Sequence, residues 1–281
     1  METVDLRPMT LGEVLDRTFT LYREHFLLFV GITALPHLLT LLFNFGVLSF
    51  QRTSITGTTP HLPSPGVMGG IVAGALVGAV LVLLTVGIAQ AATVVAVSDL
   101  YLGQPASVRN SYARAKGSIL IVIAIMIMTG LATVVGLIFL IIPGIYLACR
   151  LAVSVPVAIV EKESPVASME RSMELTKDYA WQLFLLLLLV GVLSSVVGTL
   201  LQFPVFFSTI SSALAKKQPS IGVMAYSYVA QFASQVLVGP IGTISASLMY
   251  YNLRVRKEGF DIQQLLGSLD SAPRPLSLEP R

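Results

Sequence analysis

The sequence predicts an all-α, polytopic membrane protein with six transmembrane helices and three amphipathic surface helices, and three observations carry that reading. Of its 281 residues, 54% are hydrophobic and 12% charged, against about a quarter charged in an ordinary soluble domain. The charges fall between long uncharged apolar runs, each long enough to cross the roughly 30 Å hydrocarbon core of a bilayer as a helix. A junction also recurs in which an amphipathic stretch ends in a basic residue and runs straight into an uncharged one. Its clearest copy extends from Ser164 to Gly191. There Val166, Met169, Met173 and Ala180 share one helical face, and Glu170, Arg171, Glu174, Lys177 and Asp178 lie mostly off it. That pattern describes a helix on a membrane surface feeding one that crosses it.

Taken in order, the first surface helix covers residues 10–25. Thr10 with Glu13 forms a reciprocal capping box, and Leu11, Val14, Leu15, Phe19 and Tyr22 share a face that docks on the bilayer or on neighbouring helices. The first span, about 26–50, contains Pro36, His37 and Asn44, tolerable where neighbouring helices satisfy the freed polar groups. The second span, about 66–98, carries Gly66, Gly70, Gly74 and Gly78 on one face. Small residues at that spacing let helix backbones approach closely, so these four are the predicted helix-packing positions, with intramolecular packing the first reading and an oligomer-forming or pore-lining face the second.

A second surface helix at 106–117 presents Val108, Tyr112 and Ala115. The third span, about 119–141, is predicted to end at Pro143-Gly144, and the fourth, about 145–160, contains Arg150. The third surface helix, 164–179, precedes a fifth span at about 181–203 that Pro204 bends or ends. The sixth is placed at about 228–253, kinked at Gly239-Pro240 and preceded by an interfacial stretch. Residues 1–258 then make one membrane domain, and residues 259–281 a disordered cytoplasmic tail.

Charge asymmetry orients this topology. Fourteen Lys and Arg fall on the side that holds both termini and the loops after the second and fourth spans, against Arg52, Lys216 and Lys217 opposite. The bias places both termini in the cytoplasm. Aligning the surface helices puts Arg17-Thr18-Phe19, Asn110-Ser111-Tyr112 and Arg171-Ser172-Met173 in register, which predicts three repeats of a surface helix plus a transmembrane hairpin.

The same residues bound the chemistry. Cys149 is the single cysteine, so no intramolecular disulfide is available. The amino terminus carries Glu2, Asp5, Glu13, Asp16 and Glu24 where a cleavable signal would be basic, and is expected to remain. His25, His37 and His61 have no carboxylate or cysteine at ligand spacing, so neither a metal nor any other cofactor is expected. No phosphate-binding loop or nucleophile elbow occurs, and the chain is expected not to be an enzyme. A net charge of +3 with scattered cations carries no nucleic-acid footprint. The candidate binding residues are Arg150, a costly charge inside a span, and Arg254, Arg256 and Lys257, which follow Tyr250-Tyr251 as an interfacial anchor or a lipid-headgroup site. Gln90, Gln231 and Gln235 are read as interhelical hydrogen-bonding residues that could also line a pathway.

Three strings, RPMTLGEVLDRTFTLYREHF, IPGIYLACRLAVSVPVAIVEKESPVASMERSMELTK and LMYYNLRVRKEGFD, resemble the membrane domain found in some bacterial glycerophosphoryl diester phosphodiesterases and in stand-alone bacterial membrane proteins. The resemblance covers about residues 5–262. It implies a six-span helical domain in the bacterial inner membrane without an activity of its own, since in phosphodiesterase members a separate soluble barrel carries the catalytic His, Glu and Asp residues and the metal. The functional expectation is a membrane-embedded accessory or scaffold that meets lipid, a protein partner or a second copy of itself. The alternative is a facilitator of a small or lipidic solute.

Overall fold

In hydrocarbon a backbone N–H or C=O has no water to bond, so apolar runs of this length fold as helices. The computed structural model describes residues 8–54, 65–215 and 220–259. Among them lie α1 (Leu11–Glu24), α2 (Phe26–Ser54), α3 (Pro65–Tyr101), α4 (Val108–Ala115), α5 (Ile119–Phe139), α6 (Ile141–Arg150), α7 (Ser154–Val160), α8 (Pro165–Thr176), α9 (Ala180–Leu214) and α10 (Ile221–Glu258). Six segments are long and apolar enough to cross a membrane: Phe26–Ser49, Met68–Tyr101, Val108–Phe139, Ile141–Val160, Ala180–Leu214 and Ile221–Glu258. The predicted tail beyond Gly259, the loop with His61, and Lys216 and Lys217 lie outside the described residues.

The three amphipathic helices start alike. Thr10, Ser107 and Ser164 each cap α1, α4 and α8 with a side-chain oxygen that accepts from the backbone N–H three residues on, and Thr10 with Glu13 completes the capping box. The hydroxyl residues that align in the three copies, Thr18, Ser111 and Ser172, are all fully buried. Thr18 and Ser111 donate to carbonyls one turn back, at 2.7 Å and 3.0 Å, and Ser172 donates to Arg150 O at 2.8 Å. The shared register therefore marks the face that each helix turns inward.

None of these helices stands apart from the bundle. α1 runs antiparallel along α10: the Met9 backbone pairs with the Asn252 amide at 2.8 and 2.9 Å, and Tyr22 donates to Leu237 O at 2.7 Å. Its buried line is Val14, Thr18 and Leu21, whereas Phe19 from the predicted face is 43% exposed. At α4, Gly31 of α2 leaves the space that Val108 occupies, since a Cβ there would lie 3.2 Å from Val108 Cγ2.

Prolines inside the long helices explain several of these contacts. Pro36 has no N–H for Ile32 O, and the Tyr112 hydroxyl of α4 donates to that carbonyl. Pro240 likewise frees Val236 O, which lies 3.2 Å from Thr33 Oγ1, a hydroxyl shared with Phe29 O at 2.9 Å. The next carbonyl, Leu237 O, is the one Tyr22 reaches. Burial pushes the Tyr22 phenol above its ordinary pKa, which keeps it a donor. Beside Pro204, Leu201 O takes the Tyr226 hydroxyl at 3.0 Å.

With those carbonyls met, the helices continue where the sequence suggests interruption. α9 passes Pro204 and ends at Leu214, and α10 is one helix from Ile221, so the predicted interfacial stretch before residue 228 is its first turns. It ends at Gly259, whose φ of +59° is the left-handed cap that glycine adopts freely.

Three other expectations are corrected. The turn between the third and fourth spans is at the extended Leu140, and Pro143 falls in the first turn of α6, where no N–H is needed. The fourth span is two helices, broken at Leu151–Val153, because Pro156 fits the first turn of a new helix, α7. Among the predicted packing glycines only Gly78 meets another helix, with a Cβ there 3.1 Å from Phe43; at Gly66, Gly70 and Gly74 nothing within the chain comes within 4 Å.

Packing is uneven along the bundle. Val14, Phe29, Val95, Val153, Leu183, Ile244, Leu248, Met249, Tyr250 and Tyr251 form one core, which lies toward the end that carries most of the charges. Away from it the helices present Val80, Ile138, Phe139, Ile142, Leu200 and Phe207 outward, each more than half exposed, the surface expected against acyl chains.

Close backbone approach is required between α5 and α6. A Cβ at Gly144 would lie 2.6 Å from Leu137 N, and one at Gly136 would lie 2.8 Å from Gly144 Cα. Gly144→Ala is expected to destabilise the protein by about 1–3 kcal/mol, the usual cost of overpacking, and Gly74→Ala to leave it unchanged or slightly more stable. Thermal unfolding in detergent, followed by circular dichroism, compares the two.

Candidate functional site

A guanidinium that cannot reach water must find acceptors within the protein, and the four cations singled out from the sequence all do. Arg150 closes α6 beside the last turn of α8. It donates to Tyr146 OH at 2.6 Å, to Thr176 Oγ1 at 3.2 Å and to Met173 O. Its own carbonyl accepts from Ser172, so the charge joins two helix C-termini. Met173 O is one of the carbonyls that α8 cannot satisfy internally, and a cation there also opposes the helix dipole. Arg150 thus lies at the end of a half-length helix, with its donors turned to the protein.

Glu161, just past α7, collects the next group. Its carboxylate accepts from Tyr250 OH at 2.8 Å and from Arg171 Nε at 3.3 Å, with Arg254 Nε at 3.9 Å. Arg171 also pairs with Glu258 and, at 3.4 Å, with Glu174. Arg254 pairs with Glu258 at 3.0 Å and donates to Tyr250 OH at 3.1 Å. Lys257 meets Asp178 at 3.0 Å and Glu174 O at 2.9 Å, the second α8 carbonyl to be capped by a distant cation. Arg256 donates to Met9 O at 2.7 Å, and Tyr179 holds Arg256 and Lys257 at 5.6 and 5.7 Å from its ring centre. A separate pair joins the buried Asp99, at the end of α3, to the half-exposed Arg114 of α4.

The structure therefore brings Arg254, Arg256 and Lys257 together with α1 and α8, and places Arg150 at the same C-terminal end of α8 that Lys257 reaches. Sequence reading missed their distant partners, which are 23 to 247 residues away along the chain. A second set of cations at this end, Arg17, Arg23, Arg109, Lys116, Lys162 and Lys177, is exposed and has no ion pair among the described residues.

Among the described residues, two cavities between the helices carry polar groups from several spans. A cleft of about 590 Å³ is walled by α3, α5, the α6–α7 break, α9 and α10, with Gln90, Thr129, Thr133 and Thr243 as its polar groups in a mainly apolar lining. A smaller one of about 50 Å³ lies between α2, α3 and α10 and is lined by His37, Thr40, Asn44, Thr85, Gln231 and Gln235, among others. Among the described residues no three His, Cys, Asp or Glu are grouped to hold a metal.

Fold and site together define a multi-pass helical membrane protein with one ion-paired, charged end. Compared with known proteins, the chain matches no family model, no curated protein and no solved structure.

Arg171 bridges α8 to both Glu161 and Glu258, so Arg171→Ala leaves two carboxylates short of a partner. The side chain is 30% exposed, so the expected loss is about 1–3 kcal/mol, below that for a fully buried pair. Arg17→Ala is expected to change little. Unfolding midpoints of both variants in one detergent check this.

Proposed function

We infer that this protein is a non-enzymatic, membrane-embedded accessory or scaffold of a bacterial inner membrane, seated through its charged, cytoplasmic end on anionic lipid. One observation carries the reading: the cations at that end divide into two sets. Arg150, Arg171, Arg254, Arg256 and Lys257 are turned inward and rigidify the helices. Arg17, Arg23, Arg109, Lys116, Lys162 and Lys177 are exposed on or beside α1, α4 and α8, where each contributes about 1 kcal/mol to attraction by an anionic leaflet. The charge bias along the sequence supports a cytoplasmic position for this end. The resemblance to the phosphodiesterase membrane domain supports a role without catalysis.

A second reading rests on the cleft of about 590 Å³. A mainly apolar cleft among loosely packed helices suits an acyl chain, and under this reading the protein is a facilitator of a lipidic solute.

Purification from native membranes into nanodiscs, with identification of every protein and lipid retained at stoichiometric level, separates the two. The accessory reading expects a reproducible protein partner together with enriched anionic lipid, the enrichment being largely lost in Arg17→Gln/Arg109→Gln/Lys177→Gln. A self-associated species that retains one lipid class, with no protein partner and no response to the triple substitution, would favour the facilitator.

A further inference from the structure

His37 stands about eleven residues into α2, roughly 16 Å along the helix and near the middle of a bilayer core of about 30 Å. Its residue surface is 8% exposed. Nδ1 lies 2.8 Å from Thr33 O, and a carbonyl only accepts, so Nδ1 carries the proton of that bond. In the neutral ring Nε2 is then a bare acceptor. It is buried and has no partner in the protein, an arrangement native structures rarely leave unmet.

Nε2 belongs to a residue that lines the cavity of about 50 Å³, whose lining sets uncharged polar side chains among the apolar Leu41, Val82, Val86 and Phe232. Thr40 and Thr85 hydroxyls stand 3.2 Å apart on α2 and α3. Asn44 lies on the same face of α2, and Tyr228, Gln231 and Gln235 follow each other on one face of α10. Gln231 and Gln235 are exposed within the uncharged part of α10, which marks them as the mouth of the cavity, since amides in a membrane segment face a polar space. No carboxylate, Lys or Arg lines the site, so an ion of either sign would enter without a counter-charge. A water needs about 10–15 Å³ of such space, and the cavity therefore has room for about four, comparable with a three-carbon polyol.

From this geometry we propose that the cavity is a binding site for a small uncharged polyhydroxyl solute, one hydroxyl of which donates to His37 Nε2 while Thr40, Thr85 and the α10 amides bind the others. The site is independent of the lipid contacts at the charged end. It differs from the larger cleft in its small size and in the histidine that lines it.

Solid-state NMR of the full chain, labelled with ¹⁵N-histidine and held in bilayers, reads Nε2 directly. His37→Phe identifies the His37 signal by its disappearance. Glycerol is the probe. The expected result is a saturable glycerol-dependent shift of Nε2 toward the hydrogen-bonded position, with magnetisation transfer from glycerol hydroxyl protons. Gln235→Leu, which keeps the histidine and has no hydrogen bond to lose within the chain, is expected to weaken the apparent affinity several-fold. An Nε2 signal that sees water alone at every glycerol concentration, or sees no hydroxyl proton at all, overturns the proposal. So does glycerol binding of unchanged affinity in Gln235→Leu.

Discussion

A proline within a membrane helix frees a carbonyl that has no water to turn to, and the arrangement of the helices follows from meeting that demand. Ile32 O, freed by Pro36, takes the Tyr112 hydroxyl. Around Pro240, Val236 O and Leu237 O take Thr33 and Tyr22. These bonds connect α4 to α2, α2 to α10 and α1 to α10. One amphipathic helix, α4, is therefore docked by a tyrosine on a carbonyl that a proline frees, and α1 by a tyrosine on the carbonyl next to the one that Pro240 frees. An unmet buried carbonyl costs about 1–3 kcal/mol, large against the marginal stability of a fold.

The charged end solves a related problem for α8. Its last turn lacks i+4 donors, and Arg150 of α6 reaches Met173 O while Lys257 of α10 joins the C-cap N–H of Lys177 at Glu174 O. Glu161 then ties Arg171, Arg254 and Tyr250 into one group. These cations have enough internal work to account for their positions without a ligand. The exposed cations are a different population, and the proposed contact with anionic lipid rests on the contrast between the two sets.

Much of the fold is legible in the chain because its causes are local. The capping box at Thr10 and the uncharged spans are adjacent or periodic signals, whereas the face predicted for α8 is not the buried one: Val166 is exposed, and Ser168, Ser172, Leu175 and Thr176 turn inward. The buried hydroxyls at Thr18, Ser111 and Ser172 fall where the three copies align. What the chain does not display is partnership across distance. Arg254, Arg256 and Lys257 look like a free basic cluster until α8, Tyr179 and Met9 are placed against them. The break before α7 had a local cause in Pro156 that the apolar run concealed. The cavity at His37 also had a signal, since His37, Thr40 and Asn44 repeat the spacing of Tyr228, Gln231 and Gln235, but pairing those faces required knowing that α2 lies beside α10.

The coupling between Tyr112 and Pro36 tests the central claim most directly. A double-mutant cycle in detergent, read by unfolding free energy, compares Tyr112→Phe in the natural chain and in Pro36→Ala, where the restored N–H of residue 36 can take Ile32 O. The account predicts a loss of about 1–3 kcal/mol in the first background and a few tenths in the second. Equal losses in both backgrounds would show that the freed carbonyl is not what holds α4 to α2.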